Sequence, residues 1–148
     1  MNQDFRDLLA AFNDHHVEFL VVGAHAMAAH GHVRATKDMD VWIRPSSDNA
    51  KRAIQALTAF GAPLQGLTAE DLSTPGVVFQ IGVPPLRIDI LTAIDGVTFE
   101  EAWPNRVIST FADQPAAVLS RNDLIRNKRA SARKQDLADV EVLEKIGS

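Results

Sequence analysis

The chain is 148 residues long, 46% hydrophobic and 23% charged, with a net charge of −4 and no cysteine. These figures describe one ordinary globular domain and exclude a disulfide scaffold, a thiolate zinc site and a cysteine nucleophile. The acidic balance also excludes a protein that coats nucleic acid through its overall charge, so any nucleic-acid contact must be local.

Residues 4–14 carry Phe5, Leu8, Leu9 and Phe12 at helical spacing. VEFLVV (17–22) reads as a buried strand that ends at Gly23 and passes into an alanine-rich helix stopped by Gly31. The longest nearly apolar stretch, Phe19 to Ala29, is interrupted by Gly23 and His25 and is too short to cross a membrane. No basic region followed by an apolar segment opens the chain, so no secretory signal is expected and the expected location is cytoplasmic. DMDVWIR (38–44) is the next strand, closed by Pro45. Serine caps open a helix that carries Ala50, Ile54, Leu57 and Phe60 on one face and stops at Gly61.

Residues 61–76 read as a loop with one helical turn at Ala69–Leu72. VVFQIG (77–82) and LRIDIL (86–91) read as two strands joined through Val83-Pro84-Pro85 as a hairpin. Thr98, with Glu101 three residues on, caps a short helix to Trp103. VISTF (107–111) is a further strand. Ser120, with Asp123 at the third helical position, opens a charged helical tail whose last apolar stripe is Leu137, Val140, Leu143 and Ile146. The expected organisation is one domain over 1–148, with a core over about 1–115 and a helical tail over about 116–148. Some 30 residues cannot close a core of their own.

The chemistry concentrates in residues 21–43. Alternate residues of a strand share a face, so Asp38 and Asp40 project together while Met39 turns into the core. Two adjacent carboxylates repel unless a cation lies between them, and hard oxygen ligands suit a divalent ion of the magnesium type. Asp89, between Ile88 and Ile90, supplies a third carboxylate if the strands are neighbours, which is how two-metal phosphoryl-transfer sites are built. The plainer reading of each is a solvated strand end for Asp38-Met39-Asp40 and a polar strand face paired with Arg87 for Asp89. Gly23 serves either as a corner that needs a residue without Cβ or as the start of a phosphate cradle built from the N–H groups of Ala24 to Met27.

Gly23-Ala24, a helix ending His30-Gly31, Arg34-x-Thr36-x-Asp38-x-Asp40 and Asp89 between isoleucines together resemble the polymerase-beta-type nucleotidyltransferase superfamily. The similarity is greatest to its small bacterial branch, related to the nucleotidyltransferases of abortive-infection and toxin–antitoxin systems. The tail from Leu124 to Asp139, with Lys128, Arg129, Arg133, Asp136 and Asp139, resembles that branch too. The resemblance implies an α/β (α+β) nucleotidyltransferase fold, a mixed sheet flanked by helices with the helical tail packed on the core. It implies a turn at Gly23 and Ala24 that holds nucleotide phosphates, and Mg²⁺ or Mn²⁺ held by Asp38, Asp40 and Asp89. Asp89 would also help activate the attacking hydroxyl. Many members carry serine where this chain has Ala24-His25, leaving backbone donors and His25 to meet the triphosphate.

The implied activity is transfer of a nucleotidyl group from a nucleoside triphosphate to an acceptor hydroxyl on tRNA, a protein or a small molecule, with a toxin role and an antitoxin partner protein as the branch suggests. The alternatives are a catalytically silent nucleotide- or partner-binding module and an unrelated acid-triad nuclease. Lys128, Arg129, Arg133 and Lys134 form a basic patch, either a solvated helix face paired with Asp136 and Asp139 or a clamp on phosphates, and the family tail favours Lys128 and Arg133 as the clamp. Arg34 and Lys37 could reach phosphate or pair with nearby acids. His25, His30 and His32 lack the spacing of a helical zinc pair, and Asp14-His15-His16 reads as histidines near a helix C-terminus.

Overall fold

A computed structural model describes residues 2–34, 36, 38–82 and 87–146. The expected Val83-Pro84-Pro85 connection and Lys37 lie outside the described residues.

Helix α1 (Gln3–Asp14) starts where the Asn2 side chain accepts from the N–H groups of Asp4 and Phe5, and it buries Phe5, Leu8, Leu9 and Phe12. Strand β1 (Phe19–Val22) is buried throughout and runs straight into α2 (Gly23–Ala29). Strand β2 (Asp38–Ile43) follows, then α3 (Ser47–Phe60), capped by Ser46 and closed at Gly61. The single turn α4 (Ala69–Leu72) carries a Thr68/Asp71 capping box. Strands β3 (Val78–Ile81) and β4 (Arg87–Leu91) come next, then α5 (Phe99–Ala102) with its Thr98/Glu101 capping box. After a 3-10 turn at Trp103–Asn105 come β5 (Val107–Phe111), β6 (Gln114–Val118), α6 (Arg121–Ser131) and α7 (Lys134–Ile146).

The six strands form one mixed sheet in the order β3-β4-β2-β1-β6-β5. β2 pairs parallel with β4, and β1 pairs parallel with β6; the other neighbours are antiparallel. Met39, Val41, Trp42 and Ile43 of β2 are essentially inaccessible, and the Trp42 ring meets Phe99 edge-on at 5.0 Å. Helices α1 and α3 pack on each other, α2 lies against β1 and β2, and α6 pairs with α7. The expected fold class is the one observed. Buried Asn49 ties the start of α3 to the ends of the two central strands. Its amide donates to the carbonyls of Glu18 and Arg44, and its carbonyl accepts from the Glu18 N–H.

The helical tail is made of two helices, broken at Ala132, whose φ of 54° ends α6 in the left-handed region. Two features differ from the reading of the sequence. Residues 114–118, straddling the boundary drawn at 115, form β6 beside the central β1. The hairpin from β5 to β6 turns through Ala112 and Asp113, both at positive φ (49° and 72°). Such a turn normally announces itself as Asn-Gly or Asp-Gly, and Ala-Asp followed by Gln-Pro-Ala-Ala conceals it. The apolar stripe of the tail is also narrower than its spacing suggests: Val140 and Leu143 are buried, whereas Leu137 and Ile146 are exposed.

Candidate active site

The site is a product of register. Val22 of β1 pairs with Asp40 of β2, and Asp40 pairs in turn with Asp89 of β4. One step along, Asp38 pairs with Arg87. The three aspartates singled out in the sequence therefore meet at one end of two parallel strands, with Met39 buried on the opposite face. Gly23, the first residue of α2, has φ +66° and its backbone runs against the Asp40 carboxylate; a Cβ there would collide with that oxygen. Glycine is required on both counts.

Crowding of negative charge sets the electrostatics. The Asp40 carboxyl is pushed up to about 6, first by burial, then by the neighbouring charges of Asp89 and Asp38, with Arg87 opposing. The Arg87 guanidinium lies among the carboxylates, its Nη2 3.3 Å from both Asp38 Oδ2 and Asp89 Oδ2. Its Nε stands 3.1 Å from Asp89 Oδ1, yet both atoms are buried without an aligned hydrogen bond. That contact is charge attraction rather than a formed hydrogen bond.

Above the carboxylates opens a cavity of about 420 Å³. Gly23, Asp38, Asp40, Arg87 and Asp89 line one part of it, and Ala93 to Asp95, from the loop after β4, line another. The rest comes from the tail: Asn127, Lys128, Ser131, Arg133 and Asp136. Loop and tail are fastened together. The Asn127 amide donates to the Asp95 carbonyl (2.9 Å), and the Ser131 hydroxyl donates to the Asp95 carboxylate (3.2 Å). Gly96, at φ +81°, lets α6 approach so closely that a Cβ would lie 2.6 Å from that of Ala130.

The basic tail is built differently from an exposed patch. Lys128 is only 7% exposed, and its Nζ lies 2.8 Å from Asp139 Oδ2 and 3.6 Å from Asp136 Oδ1. Asp139 also takes a two-pronged contact from Arg34 (2.7 and 3.2 Å) and one from Gln135 (2.9 Å). Burial alone would raise the Asp139 carboxyl, but these donors hold it down at about 2. Arg34 is thus committed to Asp139. Arg133 pairs with Asp136 at 2.8 Å while its side chain stays 80% exposed at the cavity. Arg129 pairs with Glu144 on the outer surface.

Ala24 and His25 do not line the cavity. The His25 ring sits edge-on between Phe5 and Phe111, with centroids 5.5 and 6.2 Å away, and burial lowers its pKa although a hydrogen bond to the Asp38 backbone opposes this. His30 bonds the Leu119 carbonyl (2.8 Å) and His15 the Ala11 carbonyl (2.9 Å), so both serve the frame. Asp95, Asn127 and Ser131 escaped the sequence reading because isolated polar residues in a loop and on a charged helix carry no periodic signal.

Among the described residues, no three Asp, Glu, His or Cys side chains converge closely enough to hold an ion as they stand. The donor set nevertheless suits a hard divalent cation. Asp38, Asp40 and Asp89 offer carboxylate oxygens on neighbouring strands, Asp89 Oδ1 is buried without a hydrogen-bond partner, and Arg87 opposes the crowding of charge at Asp40. Among the described residues, no helix is long and apolar enough to cross a membrane.

Residues 2–146 match the family described as "Nucleotidyltransferase of unknown function (DUF6036)". No protein of curated function matches the chain in sequence. Solved structures share its fold at low identity. The lincosamide antibiotic adenylyltransferase LnuA, lincomycin-bound, superposes with a TM-score of 0.62 at 11% identity, covering 99% of this chain and 98% of that one. ANT(2")-Ia in complex with adenylyl-2"-tobramycin gives 0.60 at 14%, covering 97% and 90%. An antigenic nucleotidyltransferase-like protein from Paracoccidioides brasiliensis gives 0.50 at 13%, covering 97% and 74%.

Proposed function

Because this chain belongs to the nucleotidyltransferase family DUF6036, we propose that it transfers a nucleotidyl group from a nucleoside triphosphate to the hydroxyl of a small-molecule acceptor. The observation that carries the reading is the row Gly23–Asp40–Asp89 at the mouth of the cavity. Asp38, Asp40 and Asp89 would hold Mg²⁺ or Mn²⁺, which supplies charge neutralisation at the phosphates.

The chain's own groups do the rest. The bare backbone at Gly23 lets phosphate oxygens approach the strand end without meeting a side chain. Arg133, paired with Asp136 but exposed at the cavity, would turn to the triphosphate, while Lys128 lends its charge from between Asp136 and Asp139. The acceptor oxygen bonds to the α-phosphorus as the bond from that phosphorus to the bridging oxygen breaks and pyrophosphate leaves. Asp89 accepts the hydroxyl proton. Positioning and charge neutralisation supply most of the acceleration.

The small-molecule acceptor is favoured because two of the similar structures, matched over nearly their whole length, are antibiotic adenylyltransferases. For the same reason ATP is the first donor to try. We place the reaction in the cytoplasm, where triphosphates are plentiful; tRNA, a protein hydroxyl and a toxin–antitoxin setting are the other acceptor contexts the resemblance implies.

The test is incubation with each α-³²P-labelled triphosphate, Mg²⁺ or Mn²⁺, and separate panels of aminoglycosides, lincosamides, tRNA and cell extract. Label transfer lost in Asp89→Asn supports the proposal, and transfer that survives this substitution overturns it. A silent nucleotide-binding module is the second reading, favoured by the absence of a hydroxyl at Ala24-His25 and by Arg87 lying among the carboxylates. It is the result if triphosphate binds and no label moves.

A further inference from the structure

Arg87 stands where a cation is required, and its place is dictated by the sheet. It is in register with Asp38 on the neighbouring strand and two residues before Asp89 on its own, so all three side chains share a face. The guanidinium bridges Asp38 and Asp89, lines the cavity and is 31% exposed, which leaves it a route into the open volume.

We propose that Arg87 is the resident counter-ion of this carboxylate trio, releasing Asp38 and Asp89 to a divalent metal only when a triphosphate offers its guanidinium another anion. The proposal rests on the reading of Asp38, Asp40 and Asp89 as metal ligands. A guanidinium and a divalent ion cannot occupy the same few ångströms between two carboxylates, because like charges that close repel strongly. The three carboxylates therefore cannot close around an ion while Arg87 bridges two of them. The Nε contact to Asp89, lacking an aligned hydrogen bond, is a weak tie to release. A phosphate offers the planar guanidinium fork an equally good partner. Metal and nucleotide then bind cooperatively, and each must tighten the other by the same factor.

The experiment titrates the full chain with Mn²⁺, following free Mn²⁺ by electron paramagnetic resonance, with and without α,β-methylene-ATP, which cannot transfer its nucleotidyl group and whose own Mn²⁺ chelation, measured without protein, is subtracted. Wild type is expected to bind Mn²⁺ weakly alone and about tenfold or more tightly with the analogue, a difference of about 1.4 kcal/mol or more. Arg87→Gln is expected to bind Mn²⁺ alone about tenfold more tightly than wild type and to gain little from the analogue. Arg87→Lys, which keeps the charge, should remain weak. Arg87→Gln binding Mn²⁺ no more tightly than wild type overturns the proposal. Asp89→Asn separates the two layers. If Asp89→Asn loses Mn²⁺ while Arg87→Gln gains none, only the counter-ion role fails; if Asp89→Asn still binds normally, the ligand reading fails and the proposal falls with it. Should Arg87→Gln not fold, absence of coupling in wild type overturns the proposal by itself.

Discussion

Asp40 is paired in register with Asp89, and burial together with that neighbouring charge holds the Asp40 carboxyl at about 6. An acid whose pKa is higher folded than unfolded binds more protons in the native state, so stability falls as pH rises from about 4 through about 6. In chelator, wild type should unfold at lower urea concentration at pH 8 than at pH 5. Asp40→Asn should flatten this dependence and stabilise the pH 8 protein by about 1–3 kcal/mol. A mutant less stable than wild type at pH 8 would contradict the crowding described here.

Gly23→Ala places a methyl group against the Asp40 carboxylate at a backbone angle that L side chains avoid. A loss of about 1–3 kcal/mol is expected from the backbone alone, and the displaced carboxylate should weaken Mn²⁺ uptake as well. Thermal melts and Mn²⁺ titration of the same preparation check both effects. Gly61→Ala is the control, since it shares the positive φ but would meet nothing within 4 Å; it should lose stability and keep its Mn²⁺ affinity.

Lys128 and Arg133 look alike in the sequence and should behave differently. Lys128→Ala deprives the buried Asp136 and Asp139 of a cation and is expected to cost about 3 kcal/mol of stability. Arg133→Ala removes a side chain that is 80% exposed and leaves Lys128 beside the buried Asp136, so the fold should lose only about 1 kcal/mol. The substitution should instead weaken triphosphate binding by about 1.5–3 kcal/mol, tenfold or more. Urea melts and nucleotide titrations of both variants decide the matter, and equal effects on stability would refute the contrast.

Asp139 is the acid-labile joint of the tail. Its folded pKa of about 2 lies below the unfolded value, so its contribution is present above about pH 4 and is lost as pH falls through about 2. Asp139→Asn should remove roughly 2 kcal/mol at neutral pH and leave a flatter acid limb. Unfolding followed by circular dichroism between pH 2 and pH 6 reads the difference directly.

Much of the site was legible because it obeys short-range rules. The alternation of Asp38, Met39 and Asp40 shows which side chains share a face, and Thr98 and Ser120 announce their helices through capping geometry. The juxtaposition of Asp40 with Asp89 was conditional on two strands being neighbours, which only the sheet order decides. In the sequence Lys128 reads as part of a solvated face or of a clamp on phosphates, and neither reading places it in the interior. The break at Ala132 folds α7 back and buries the ammonium, and alanine at a left-handed position gives no warning of such a break. His25 was read toward the phosphates from its closeness to Gly23, but the rotation of α2 places its ring between Phe5 and Phe111.

The parallel pairing of β2 with β4 has a consequence for how the protein is made. Parallel neighbours cannot meet through a tight turn, so α3, α4 and β3 must all emerge before Asp89 can reach Asp40. On the ribosome the half-built chain would carry Gly23, Asp38 and Asp40 with no third carboxylate and no tail above them. Catalytic competence would therefore arrive late and abruptly during synthesis, after the slow long-range closure typical of such pairings. The carboxylate row and the tail that roofs it would come together only once β4, α6 and α7 had emerged.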